Sequence, residues 1–153
     1  MVNRTRGRRA SKNGAHNEQT FLNLVEMGNI PFVQQFPFPH PWTDGKGDVL
    51  LLPTSGVRIV VQNKNQNSSG TCDEKVPFQF DIARWAIPTF AFDEFWLVLG
   101  GTYWTTSQGG LRVAVYNKLA EEFNLRNMGV TAKVFLHPSD EMLVALKRYA
   151  AEE

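Results

Sequence analysis

Apolar residues Phe21, Leu22, Leu24 and Val25, with Met27 beyond, fall against a polar complement between His16 and Gly28. That spacing predicts a short amphipathic helix, capped by Asn13 or Asn17 and stopped at Gly28. From Ile30 to Phe38 the chain is apolar and extended, and prolines at 31, 37, 39 and 41 predict an edge strand that runs out into non-helical chain. Asp48 to Leu52 and Val57 to Lys64 read as two more strands, joined by the short turn-forming link Pro53 to Gly56 into an antiparallel hairpin. A polar stretch, Asn65 to Gly70, leads to a helix over Val76 to Ile87, with Pro77 early in it and Phe80, Ala83 and Ile87 at helical spacing. Phe92 to Leu99 is a strongly apolar, central strand stopped by Gly100-Gly101. The predicted order is helix, three strands, helix, strand. Beyond it come a polar loop over Gly100 to Gly110, an apolar stretch from Leu111 that turns helical towards Phe123, and a candidate strand at Val130 to Leu136. A last helix starts at Ser139 as N-cap, with Asp140 and Glu141 in its first turn and Lys147 and Arg148 near its end, as the helix dipole favours.

Composition narrows the class without naming a chemistry. The 153 residues suit one domain, and 42% hydrophobic with 20% charged residues is globular. No apolar run reaches the roughly 20 residues of a membrane helix, and the arginine-rich start lacks the apolar stretch of a secretory signal. The expected location is therefore intracellular, cytoplasmic or nuclear. A single cysteine, Cys72, excludes an intramolecular disulfide, and His16, His40 and His137 show no metal-ligand spacing. Net charge is +1, yet Arg4, Arg6, Arg8, Arg9 and Lys12 give the first twelve residues +5 with no acid among them. We therefore divide the chain into a flexible basic arm, residues 1–14, and a single domain, 15–153, with its core over about 16–101. The arm reads either as a phosphate contact or as a solvated leader.

Chemistry concentrates in the hairpin. Side chains alternate faces along a strand, so Gln62 and Lys64 point the same way, and hairpin geometry returns that strand end to the neighbourhood of Asp48. The three can converge. A carboxylate and an amide oxygen suit Mg2+, which prefers hard oxygen ligands. Asp48 and Gln62 would bind it directly, the main-chain carbonyl of Asn63 would complete the set, and Lys64 would orient water and balance phosphate charge. Asn65 and Gln66, in an amide-rich stretch, are candidates for hydrogen bonds to nucleic acid or plain loop residues. Trp85 and Trp96 fall on segments assigned to the core, whereas Tyr103 and Trp104 could stack on a base or pack. Arg84 could contact phosphate, or form an ordinary helix-face ion pair with Asp81 at i,i+3.

The order Glu18, Gly47-Asp48, then Gln62-Asn63-Lys64 resembles the PD-(D/E)XK nuclease superfamily, in its variant with glutamine in place of the second acid. The resemblance covers roughly Glu18 to Leu99, with glycine standing where the family's motif has proline. It implies an α/β, restriction-endonuclease-like core with a C-terminal extension of helix and one strand. It also implies that Glu18 reaches the metal from the first helix. The expected activity is Mg2+-dependent endonuclease cleavage of DNA, with Mn2+ as substitute and RNA not excluded, of restriction, homing or junction-resolving type. Cutting two strands takes two sites, so a homodimer or higher oligomer is expected, with the apolar C-terminal region as interface. The alternatives are a non-catalytic nucleic-acid-binding module on the same scaffold and the nuclease domain of a larger effector protein.

Overall fold

The computed structural model describes residues 16–42, 45–67, 72–126 and 129–151, with the backbone alone for 72–74. The arm residues Arg4, Arg6, Arg8, Arg9 and Lys12 lie outside the described residues. Helix α1 (16–27) is followed by strands β1 (Phe32–Pro37), β2 (Lys46–Leu51) and β3 (Ile59–Asn65), helix α2 (Cys72–Ala86) and strand β4 (Glu94–Gly100). Helix α3 (Ser107–Arg126), strand β5 (Thr131–His137) and helix α4 (Asp140–Tyr149) complete the order. The fold is mixed α/β, built on one sheet with strand order β1-β2-β3-β4-β5. β1, β2 and β3 pair antiparallel, as short connections allow, and β3, β4 and β5 pair parallel across the helical crossovers α2 and α3.

Period-two alternation sends each strand's side chains to two separate cores. Leu50, Val60, Phe95, Leu97 and Leu99 face α2 and α3, where Phe80, Ala83, Tyr116 and Phe123 meet them. Val49, Leu51, Val61, Trp96 and Phe135 face α1 and α4, against Phe21, Val25, Met142 and Leu146. β4 is buried along its whole length, which is why its sequence is a continuous apolar run rather than an alternating one. No described helix is long and apolar enough to cross a membrane.

Three sequence expectations need correction. α3 begins at Ser107, inside the stretch assigned to a polar loop. Thr106 supplies the start: its hydroxyl accepts from the Gly109 amide at 3.1 Å. Glycine at 109 is a packing requirement, since a Cβ there would lie 2.0 Å from the Tyr103 carbonyl oxygen. Trp85, assigned to the core, is 58% exposed on α2. β5 is no appendage either, because it extends the main sheet in register with β4, pairing Val98 with Phe135 and Gly100 with His137. α4 carries its cap as read: the Ser139 hydroxyl accepts from the Met142 amide at 3.2 Å.

Candidate active site

Asp48 sits where both of its neighbouring ladders are interrupted. Between β2 and β3 the pairing runs Leu51↔Ile59, Leu50↔Val60, Val49↔Val61 and goes no further towards the Asp48 end. Between β1 and β2 it passes from Gln34↔Val49 to Phe36↔Gly47, leaving out Gln35, which stands across from Asp48 in a left-handed conformation (φ 51°). For a residue with a Cβ that conformation costs roughly 1–2 kcal/mol, and it lies at the edge of the candidate site. In place of the next rung, the Asp48 carboxylate accepts the main-chain amide of Asn63 through Oδ2 at 2.8 Å. Within a pleated strand the N–H and C=O of one residue point to the same side. The Asn63 carbonyl therefore faces the same gap as Asp48.

The register that makes Asp48 and Gln62 neighbours also gives them, with Lys64, the α2 face of the sheet. All three line one cavity of about 370 Å³, together with Lys46, His40 and Gln79. Gln62 is only 6% exposed. Burial pushes the Asp48 carboxyl above its ordinary range, against the pull of the Asn63 amide and the Lys64 charge. Glu18, on α1, belongs to the opposite layer and is not a lining residue; its link to the site is electrostatic. Burial, then the Asp48 charge, raises its pKa, and a hydrogen bond with Gln34 acts in the lowering direction.

α1 is pinned over this end of the sheet. Thr20 Oγ1 donates to the Asn17 carbonyl at 2.9 Å and lies 2.8 Å from His137 Nε2 at the end of β5. His137 Nδ1 is buried without a hydrogen-bond partner among the described residues. Burial lowers the His137 pKa, which keeps the ring neutral in that position.

The remaining expected residues separate. The Asn63 side chain turns to the α1 face, where its Nδ2 is buried without a hydrogen-bond partner among the described residues. Asn65 packs beneath β4, so closely that a Cβ on Gly100 would lie 2.2 Å from its Oδ1. Gln66 is 8% exposed and its side-chain amide is buried, so it presents no surface contact for nucleic acid. Tyr103 and Trp104 form a buried 3-10 turn, with the indole N–H donating to the Gly100 carbonyl at 2.9 Å; they pack and do not stack on a ligand. Arg84 and Asp81 form the exposed pair read from the sequence, at 3.5 Å.

Lys46, His40 and Gln79 were not singled out in the sequence. Lys46 was within reach, since it shares the parity of Asp48 on β2. Among the described residues no three His, Cys, Asp or Glu side chains gather as a metal cluster. No family model, curated protein or solved structure matches the chain.

Proposed function

We propose that the chain is a metal-dependent phosphodiester hydrolase with a restriction-endonuclease-like core, acting on DNA. The observation that carries this reading is the convergence of Asp48, Gln62 and Lys64 on one cavity where β2 and β3 part. The element order supports it: a helix, three antiparallel strands, a crossover helix and a parallel strand.

Around the gap the Asp48 carboxylate, the Gln62 amide oxygen and the Asn63 carbonyl offer oxygen donors, with the His40 imidazole in the same cavity and the Glu18 carboxylate acting from the opposite layer. Oxygen donors of that kind suit Mg2+ or Mn2+. Both carboxyl pKa values are raised, chiefly by burial and at Glu18 also by the Asp48 charge, and a bound cation would favour the ionised forms. When bound, the cation neutralises charge on the phosphate and acidifies a water molecule. Asn63 holds the Asp48 carboxylate in one orientation through its amide. Lys64 brings a fixed positive charge to the same cavity, where it orients the attacking water and offsets charge building on the phosphate oxygens. Gln62 orients without adding charge, so the Mg2+ requirement falls mainly on Asp48 and Glu18. A homodimer or higher assembly would supply the second site needed to cut both strands of a duplex.

Supercoiled plasmid incubated with Mg2+, Mn2+ or EDTA tests the proposal. The wild type should convert it to nicked and linear forms in either metal and not in EDTA. Lys64→Ala should lower turnover on the order of 100-fold or more, the size of loss typical for one electrostatic stabiliser, while retaining DNA in gel shifts. DNA binding by both proteins with no metal-dependent cleavage by the wild type would replace the hydrolase with the non-catalytic binding module.

A further inference from the structure

Beside the cavity stands an aromatic group that phosphodiester chemistry does not use. Trp42, between β1 and β2, is 72% exposed, although indole is among the side chains that gain most from burial. One face of its ring stacks on Phe78 of α2, with centroids 5.3 Å apart and planes 21° from parallel. His40 meets both rings edge-on, at 5.9 Å from Trp42 and 6.1 Å from Phe78. The Trp42 main-chain amide also donates to His40 Nδ1 at 3.1 Å. The exposed indole is therefore braced from behind and from the side, with its orientation set before anything binds.

This platform is continuous with the candidate active site. His40 is a member of both, and Gln79, which lines the cavity, follows Phe78 directly on α2. On the cavity side of the platform are two cations, Lys46 and Lys64; on the helix side Lys75, one turn before Phe78, is exposed. An open π-face next to clustered ammonium groups matches a nucleotide, whose base stacks while its phosphate meets the charge. A protein partner of ordinary aliphatic chemistry would leave those lysines unanswered. Bases inside an intact duplex have both faces covered by their neighbours, so only an unpaired base can use the platform.

We propose that Trp42 stacks an unpaired nucleobase flanking the phosphate held at Asp48 and Lys64, and thereby directs the protein to single-stranded, frayed or branched DNA over intact duplex. The placement of that phosphate rests on the hydrolase reading; the stacking itself does not need cleavage.

The test uses a short single-stranded oligonucleotide carrying 2-aminopurine, and the same sequence as a blunt duplex, both in EDTA so that no strand is cut. Anisotropy reports binding and 2-aminopurine emission reports stacking. Binding of the single strand by the wild type should quench the emission. Trp42→Ala should abolish the quenching and weaken single-strand binding by about tenfold, as loss of one stacked base does. Trp42→Phe should keep most of both, and the affinity for duplex should be alike in all three proteins. Circular dichroism melts of the variants should match the wild type, since Trp42 is at the surface. Unquenched emission with the wild type, or equal single-strand affinity for wild type and Trp42→Ala, overturns the proposal, whether or not plasmid is cut in Mg2+. Quenching that depends on Trp42, in a protein that cuts nothing, upholds the platform and removes the hydrolase.

Discussion

Asp48 is held in conflicting conditions unless a cation is present. Burial makes its ionised form costly, and at neutral pH the Asn63 amide and Lys64 offset only part of that cost. The sign of the pH dependence follows from linkage. A carboxyl with a raised folded pKa keeps its proton where the unfolded chain has lost it, so stability falls as pH rises through that interval and the penalty is complete above it. Glu18 shifts in the same direction. Asp48→Asn keeps an oxygen for the Asn63 amide and removes the charge. It should therefore raise Tm at neutral pH in EDTA, by about 2–4 °C for each kcal/mol recovered in a chain of this size, while abolishing turnover. Scanning calorimetry checks it, and an unchanged or lower Tm would mean the carboxylate is not under electrostatic strain. Mg2+ affinity of the wild type should run the other way, rising with pH through the same interval as both carboxylates ionise. Of the site itself, Asp48, Gln62 and Lys64 were legible because alternation and hairpin register together fix which side chains share a face. His40 and Gln79 were not, because they arrive on a loop and a crossover helix. Helical periodicity shows which face of α2 is apolar but not how far along the sheet that face lies.

At the scale of elements, the approach of β1 to β2 decides where Asp48 stands. Phe36 pairs with Gly47, and a Cβ at position 47 would lie 2.1 Å from the Phe36 ring. That ring cannot retreat freely, since it packs against Phe38 at 5.7 Å and Phe90 at 5.6 Å. Gly47→Ala should therefore cost about 1–3 kcal/mol, as overpacking does, and should weaken Mg2+ binding because the adjacent Asp48 is displaced. Urea unfolding measures the first and calorimetric titration the second; adding Phe36→Leu should restore part of both. A second junction fixes α4. Glu94 is bonded by Lys133 at 2.7 Å, by the Trp96 indole at 3.1 Å and by the Tyr149 hydroxyl. Burial pushes the Glu94 carboxyl up, but those three donors outweigh it and hold the pKa below the ordinary value. Burial and then Glu94 push the Tyr149 hydroxyl up to about 12. The depressed carboxyl contributes stability that is present above its unfolded pKa and lost as pH falls through the folded one. Glu94→Gln should cost about 2 kcal/mol at neutral pH and flatten the acid limb of the stability curve, read from urea unfolding across acidic pH. An acid limb identical to the wild type would dissociate Glu94 from it. Nothing in local pattern announced this junction, whose members are drawn from β4, β5 and α4. The start of α3 was hidden for a related reason: Gly109 and Gly110 are poor helix formers, and only the close approach to Tyr103 explains the glycine at 109.

For the molecule as a whole, charge is divided against the proposed substrate. The chain carries +1, of which the first twelve residues hold +5, so residues 13–153 are net negative. A polyanion approaching the cavity thus meets a domain of net negative charge and is attracted locally by Lys46, Lys64 and Lys75. Steering must come from the basic N-terminal segment if the protein is to associate quickly. Each phosphate neutralised by a cation steepens the fall of log affinity with log salt by roughly 0.7 for single strands and 0.9 for duplex. Deleting residues 1–12 removes Arg4, Arg6, Arg8, Arg9 and Lys12, and so should shallow the slope by up to about 4.5 if all five make contacts on duplex. Single-strand affinity at high salt, where such contacts are screened and the Trp42 platform remains, should change far less than affinity at low salt. Anisotropy titrations of the truncated and full chains over a salt series give both quantities. Equal slopes would assign the segment no part in binding and leave local attraction to Lys46, Lys64 and Lys75 beside the Trp42 platform.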